Sequence, residues 1–115
     1  MPIVLLRVDE RLIHGQVVVG WGGLLHPDRY LVVDSALAES EWEQELYALG
    51  VPKGVEVEFL APAAARERLD SWRESELRSI LLTRDLDTVL ELSKEGAMEG
   101  EALNLGGLHL RSGRE

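Results

Sequence analysis

Short apolar segments alternate along the chain with longer segments in which apolar residues recur at helical spacing. Apolar runs without polar alternation are typical of strands that are buried on both faces of a parallel sheet. Five segments are predicted as strands: Pro2–Val8, Tyr30–Asp34, Val55–Leu60, Ser79–Thr83 and Ala102–Leu105. Four segments between them are predicted as helices: Gly15–Leu25, Ser40–Leu49, Pro62–Leu69 and Asp85–Glu95. This alternation predicts the α/β class with a mostly parallel sheet of about five strands.

The second predicted helix has the clearest pattern. Ser40 occupies its N-cap position, and Trp42, Leu46 and Leu49 are spaced for a single helix face. Acidic residues at 39, 41, 43 and 45 are most simply a solvated face of the same segment.

The length and composition fit one globular domain. The chain has 115 residues, of which 45% are hydrophobic and 29% are charged. It has no cysteine, which excludes a disulfide scaffold, a thiolate zinc site and a cysteine nucleophile. No apolar run is long enough to span a membrane, and the N-terminal one stops at Arg7, too early for a signal peptide. We therefore expect a cytoplasmic protein.

The net charge argues against a nucleic-acid partner. Twelve basic and twenty-one acidic side chains give a charge of −9, the opposite sign to that of a nucleic-acid-coating protein. Residues 1–29 contain three basic and three acidic residues and are balanced, so the rest of the chain carries the excess. An anionic ligand is therefore expected near the N-terminus.

The loop after the first strand holds the candidate chemistry. Ligand sites in open α/β sheets lie beyond the carboxyl ends of the strands, and the first of these loops is the richest in reactive side chains. His14, beside Gly15, directly precedes a predicted helix, whose N–H donors favour an anion and a neutral imidazole. Arg11 could pair with anionic oxygens, and Asp9 could fix the imidazole tautomer.

Two interpretations fit this loop. In the first, His14 is a neutral nucleophile that carries a phosphoryl group held by a guanidinium and backbone donors. In the second, Asp9 and Arg11 form a structural pair and His14 only caps a helix. The residues alone leave both open.

Other candidates at the same edge of the sheet carry weaker signals. Asp34 and Ser35 end a strand, where they could cap a helix or contact a ligand. Asp85 is interpreted as an N-cap, and Arg84 could add positive charge. Gly106 and Gly107 could bring N–H groups near a phosphate, with His109 close by, whereas His26 is interpreted as a surface turn residue. No GxGxxG, Walker loop or metal-ligand cluster occurs, so neither a metal nor a cofactor is expected.

A family resemblance separates the two interpretations. The stretch Arg7–Val17, RVDERLIHGQV, resembles the phosphohistidine signature R-[IV]-D-[DE]-R-L-[IL]-H-G-Q-V. This signature belongs to the IIB subunits of the mannose/fructose/sorbose family of the bacterial phosphotransferase system. The segments YLVVD, LLTRDLDTVLEL and LNLGGLH are similar to further family segments, so the resemblance runs along the whole chain.

The resemblance implies a fold, an activity and a set of partners. The family fold is an open, mostly parallel sheet with helices on both faces. Its members are phosphotransferases that accept a phosphoryl group from a IIA domain on Nδ1 of the motif histidine. They pass it to a sugar that enters through the membrane subunits IIC and IID. A cytoplasmic location at the inner face of the membrane, through those subunits, is implied.

The resemblance also assigns roles to residues of this chain. His14 would be phosphorylated, and Arg7 would lie at the base of the site. The resemblance implies that further residues line the site, namely Asp9, Arg11, Gly15, Gln16, Ser35, Thr83 and Gly107. The last three of these would approach from neighbouring loops.

The chain departs from the family pattern at its C-terminal end. Family subunits are longer, and residues 1–115 are predicted to form one IIB-like domain without the family's last strands and intervening helix. The edge of the fifth strand would then be uncovered, which leads us to expect a homodimer or a marginally stable monomer. An alternative function stays open, namely a shortened regulatory or docking module that binds IIA without sugar transport.

Overall fold

The computed structural model of the protein describes residues 3–13, 16–92 and 103–105. Its strands are β1 (Ile3–Val8), β2 (Arg29–Val33), β3 (Glu56–Leu60), β4 (Ser79–Thr83) and β5 (Leu103–Leu105). A π-helical turn, Gln16–Trp21, leads into α1 (Gly22–Leu25). The other helices are α2 (Ser35–Ala38), α3 (Glu41–Ala48), α4 (Pro62–Glu74) and α5 (Leu86–Leu92).

The strands form a parallel sheet in the order β3-β2-β4-β1-β5. Four of them have five or six residues, and the three-residue β5 adds to the outer side of β1. The register pairs Thr83 with both Val8 and Val33, so β1, β2 and β4 end at the same level. The loops that follow these three strands therefore meet at a common edge.

Helices cover both faces of the sheet. Leu31 and Leu81 point to the face where Leu69 and Trp72 of α4 and Leu92 of α5 are buried. The next residues along the same two strands, Val32 and Leu82, point to the opposite face. That face is covered by α2, by Tyr47 of α3 and by Leu12 and Ile13 of the first loop. The α/β fold class predicted from the sequence is thereby confirmed.

The predicted strands agree closely with the observed ones, and the helices differ more. The segment predicted as one helix over Gly15–Leu25 is split into the π-helical turn and α1, in a stretch whose glycines weaken α-helical propensity. The short α2 was not predicted. Helix α4 extends five residues beyond Leu69, because Trp72 fills the core there and is fully buried. The fourth predicted helix begins at Leu86 instead of Asp85.

The apolar face of α3 is not covered by the rest of the described protein. Trp42, Leu46 and Leu49 share one helix face, as their spacing predicts, but that face is exposed to solvent by 65%, 57% and 83%. The helix is held to the protein instead by Tyr47 and by Gln44, whose side chain donates to the carbonyl oxygens of α2. Ser40 lies at the predicted N-cap position and makes no side-chain capping hydrogen bond.

Two further expectations concern membrane spans and domain organisation. No helix among the described residues is long and apolar enough to cross a membrane. The organisation of residues 1–115 as one domain without the family's last elements stays a prediction.

Candidate functional site

The site is built around Asp9, the first residue after β1. Its backbone N–H donates to the Thr83 carbonyl at 2.9 Å, which ties the end of β1 to the end of β4. Its side chain is completely buried and accepts hydrogen bonds from Arg11: Nε donates to Oδ1 at 3.1 Å and Nη2 to Oδ2 at 3.0 Å. The Arg11 backbone N–H also donates to Oδ1, at 3.0 Å. A single carboxylate thus fixes both the loop and the guanidinium.

A second arginine lies beneath this pair. Arg7 on β1 is 5% exposed, and its Nη2 donates to Oδ2 of Asp9 at 3.2 Å. Asp9 therefore lies between a buried guanidinium and one whose side chain is 53% exposed. The hydrogen bond and charge of Asp9 outweigh the effect of desolvation and raise the pKa of Arg11, which keeps its side chain cationic. The arrangement presents positive charge at the carboxyl edge of the sheet.

Leu12 sets the path of the loop. Its backbone N–H donates to the Asp9 carbonyl at 3.0 Å, which closes a tight turn, and its φ of 55° lies in the left-handed region. A leucine in this conformation is strained. Its side chain has no exposed surface and packs with Val32 and Leu82, so burial holds the turn in place. The turn leaves Arg11 exposed and directs Ile13 into the protein.

A second ion pair lies at the same edge. Asp34, after β2, caps α2 by accepting from the Leu37 N–H at 3.0 Å, so the helix-cap interpretation is confirmed. Its other oxygen accepts from Arg84 Nε at 3.2 Å. Partial burial lowers the pKa of Arg84, but Asp34, together with Tyr47 of α3, outweighs this and raises it. Arg84 therefore links the loops after β2 and β4 to α3.

The remaining predicted site residues lie as follows. Ser35 is exposed and opens α2. Thr83 is fully buried, with its hydroxyl oxygen 3.4 Å from the Asp85 carbonyl. Gln16 opens the π-helical turn. His14, Gly15, Gly107 and His109 lie outside the described residues, so their roles stay predictions, as does the contact between Asp9 and the imidazole.

Two smaller predictions are confirmed, the cap at Asp85 and the turn at His26. Asp85 Oδ1 accepts from the backbone N–H and the hydroxyl of Thr88, which caps α5. His26 is exposed in a turn after α1, with a left-handed φ of 52°. Within the described residues no group of three potential metal ligands occurs.

The sequence did not reveal two parts of the site. The pair Arg84–Asp34 joins residues 50 positions apart, which no local pattern encodes. The binding of both Arg7 and Arg11 to one carboxylate depends on the turn at Leu12. The alternation of charges in Arg7–Asp9–Arg11 was the available signal, but β1 ends at Val8, so the turn and not the strand brings Arg11 to Asp9.

Comparison with known proteins identifies the family. The profile of the sorbose-subfamily IIB components of the phosphotransferase system matches residues 3–115. The chain belongs to this family. It is 31% identical to the N-acetylgalactosamine-specific phosphotransferase enzyme IIB component 2 of Escherichia coli, with all of this chain and 73% of that protein aligned. It is 32% identical to the sorbose-specific EIIB component of Lacticaseibacillus casei, over 99% of this chain and 69% of that one.

Solved IIB structures have the same fold. The IIB domain of the sorbose permease from Klebsiella pneumoniae superposes with a TM-score of 0.81 at 26% identity, covering all of this chain and 70% of its own. The N-acetylgalactosamine-specific IIB component 1 from E. coli superposes with a TM-score of 0.81 at 27% identity, covering 98% of this chain and 73% of its own. The predicted family is therefore confirmed, and with it a IIB role in the phosphotransferase system, which is a system of sugar transport.

Proposed function

We propose that the protein is a phosphohistidine carrier: His14 accepts a phosphoryl group from a IIA domain and passes it to a sugar during uptake. Family membership supports the class of reaction, because IIB components are phosphotransferases of sugar uptake. The observation that carries the proposal is the arrangement of Asp9 and Arg11 three to five residues before His14. It brings a fixed cationic group to the loop that contains the histidine.

The chemistry required of the site is the stabilisation of a transferring phosphoryl group. In the first step, an imidazole nitrogen of His14 forms a bond to phosphorus while the bond from phosphorus to the donor's histidine breaks. In the second step, a sugar hydroxyl oxygen forms a bond to phosphorus while the bond from phosphorus to His14 breaks, and the hydroxyl proton ends on the freed imidazole. Negative charge is spread over the phosphoryl oxygens in both transition states. A guanidinium with five N–H donors can bind Asp9 and a phosphoryl oxygen together.

Preorganisation explains why Asp9 is buried. A mobile arginine would have to be ordered during each transfer, whereas the double hydrogen bond to Asp9 orders it beforehand. Arg7 supplies a second positive charge below the carboxylate, so that Asp9 does not cancel the field of Arg11. Gly15, Gln16, Ser35, Thr83 and Gly107 are proposed to complete the lining of the site.

The proposed partners follow from the system to which the chain belongs. IIB components work with a IIA domain and the membrane subunits IIC and IID, and one relative, the mannose-specific EIIAB component of E. coli, is named for both A and B parts. We place this protein at the inner face of the membrane through IIC and IID. The alternative, a regulatory module that binds IIA without transport, predicts phosphorylation of His14 but no transfer to sugar.

Intact-mass measurement tests the proposal. The chain is incubated with phosphoenolpyruvate, enzyme I, HPr and the IIA domain of its own system, and is expected to gain one phosphoryl group that is labile to acid and stable to base. His14→Ala should abolish this gain, and the exposed turn variant His26→Ala should retain it. Full phosphorylation of His14→Ala would refute the assignment. Adding membranes with IIC, IID and sugar then separates transport from regulation.

A further inference from the structure

The exposed face of α3 adjoins the loop that contains His14. Trp42, Leu46 and Leu49 form an apolar patch, which we call the α3 patch. Between α3 and the first loop lies a groove of about 360 Å³, to which Trp42 and Leu46 contribute together with Ile13, Glu43, Tyr47 and Gly50. Ile13 directly precedes His14 in the chain. A partner that fills this groove therefore contacts the residue that directly precedes the histidine in the chain.

The size and character of the patch indicate a protein partner. Large exposed apolar side chains that are grouped together, and not scattered singly, mark interaction sites. Tryptophan and leucine beside a groove provide the anchoring contacts that protein interfaces use, with polar residues around them. Among the described residues that line the groove, Glu43 is the one charged side chain, and it is partly exposed, so these residues offer no buried charge to bind a small polar ligand.

The charge around the patch restricts the partner further. Residues 30–52 contain five acidic side chains and no lysine or arginine, and Glu41 and Glu45 are exposed on α3 itself. A second copy of this chain would bring like charges together, which disfavours self-association through α3. The complementary surface has an apolar centre surrounded by basic residues.

Cytoplasmic loops of membrane proteins supply the basic residues that this surface requires, because they are enriched in lysine and arginine. We propose that the α3 patch and its groove are the docking surface for a basic cytoplasmic loop of the membrane-embedded sugar-transport subunits. This inference rests on the proposed function, in which His14 passes its phosphoryl group to a sugar held by those subunits. Docking beside Ile13 places those subunits at the loop that contains His14, and we assign no contact of the soluble donor domain to α3.

Binding to membranes tests the docking surface directly. Inverted membrane vesicles that contain the IIC and IID subunits of the same system are mixed with fluorescently labelled protein and sedimented. Trp42→Ala, Leu46→Ala and Glu43→Lys should each weaken binding by at least about tenfold, and salt should weaken binding of the wild type. Matched controls lie on the opposite face: Leu90→Ala, 65% exposed on α5, and Glu67→Lys on α4 should bind as the wild type does.

Phosphorylation separates this inference from the proposed function. The α3 variants should accept a phosphoryl group from phospho-IIA at the wild-type rate but transfer it to sugar with a raised KM for the vesicles. If the wild type is never phosphorylated, the proposed function fails, while vesicle binding still reports on the patch.

Several outcomes would overturn the docking surface. The proposal fails if the α3 variants bind the vesicles as the wild type does. It also fails if the wild type binds equally well to vesicles of the same lipids without the subunits. A slower reaction with phospho-IIA would assign the patch to the donor, and self-association lost in Trp42→Ala would assign it to a second copy. A urea midpoint lowered by Trp42→Ala but not by Leu90→Ala would mean that the chain's own residues cover the patch.

Discussion

The guanidinium of Arg11 is held by the buried carboxylate of Asp9 through two hydrogen bonds of 3.1 and 3.0 Å. The contact joins a side chain with no exposed surface to one that is 53% exposed. The exposed Arg11 can therefore take part in chemistry at the surface, while the buried Asp9 stabilises the fold. The two residues are expected to respond differently to substitution.

Arg11→Ala is expected to slow phosphoryl transfer on the order of 10²-fold or more, because the transition state loses a preorganised cation. Arg11→Lys should recover only part of the rate, because lysine lacks the forked geometry that binds Asp9. Rapid-quench measurements of transfer from phospho-IIA provide the rates, and thermal unfolding checks that each variant folds. Wild-type transfer by Arg11→Ala would show that this arginine is only structural.

Asp9→Asn is expected to lower the free energy of unfolding by roughly 3–5 kcal/mol, because it removes the carboxylate charge that pairs with the buried guanidinium of Arg7. The matched control is Asp70→Asn. Asp70 pairs with Arg73, but its side chain is 91% exposed, and removing such a pair costs about 0–1 kcal/mol. Urea denaturation measures both values, and equal losses at the two sites would contradict the role assigned to Asp9.

Leu12 offers a test of backbone strain. Leu12→Ala is expected to cost about 2–5 kcal/mol of stability through the lost burial. Leu12→Gly removes one carbon more, but glycine adopts positive φ without strain, so this variant should be at least as stable as Leu12→Ala.

The control for Leu12 is Leu81, which is equally buried in the regular strand β4. There glycine should be less stable than alanine by roughly 0.5–1 kcal/mol. If the glycine variant is less stable than the alanine variant at both positions, the conformation of Leu12 carries no strain.

Tyr30 makes stability sensitive to alkaline pH. Burial raises the pKa of its phenol, so the folded state keeps this proton at a pH where the unfolded chain has lost it. Stability is therefore fully present below a pH of about 10 and falls as the pH rises above that value. Urea denaturation between neutral pH and pH 11 should show the fall, and Tyr30→Phe should reduce its slope. An unchanged slope in the variant would exclude Tyr30 as its source.

Strand β5 pairs with β1 and is the last strand of the sheet among those described. The homodimer or marginally stable monomer stays a prediction, since a strand edge that nothing else pairs is a surface to which a second copy of a chain can add. Light scattering across a concentration series measures the association, and hydrogen exchange of Leu103–Leu105 measures protection of the edge. A stable monomer with strongly protected amides along β5 would contradict the prediction.

The sequence by itself determined the strands and the family. Buried parallel strands require continuous apolar runs, so β4 was predicted with its observed bounds and the other strands to within about a residue. The motif from Arg7 to Val17 identified the family, because such motifs depend on neighbouring residues in the chain. The cap at Asp85 is equally local and was predicted for the same reason.

Only the tertiary structure decided what those residues contact. The spacing of Trp42, Leu46 and Leu49 predicts an apolar helix face, but it cannot tell whether a neighbouring element covers that face. The pair Arg84–Asp34 forms because β2 and β4 are adjacent and in register, which depends on the order of strands in the sheet. The pairing of Asp9 with Arg11 was one of the two interpretations of the loop, but the binding of both Arg7 and Arg11 to that carboxylate depends on a strained turn that burial of Leu12 stabilises. The pattern of hydrophobic residues predicts the local secondary structure, whereas these contacts depend on packing between residues that are far apart in the chain.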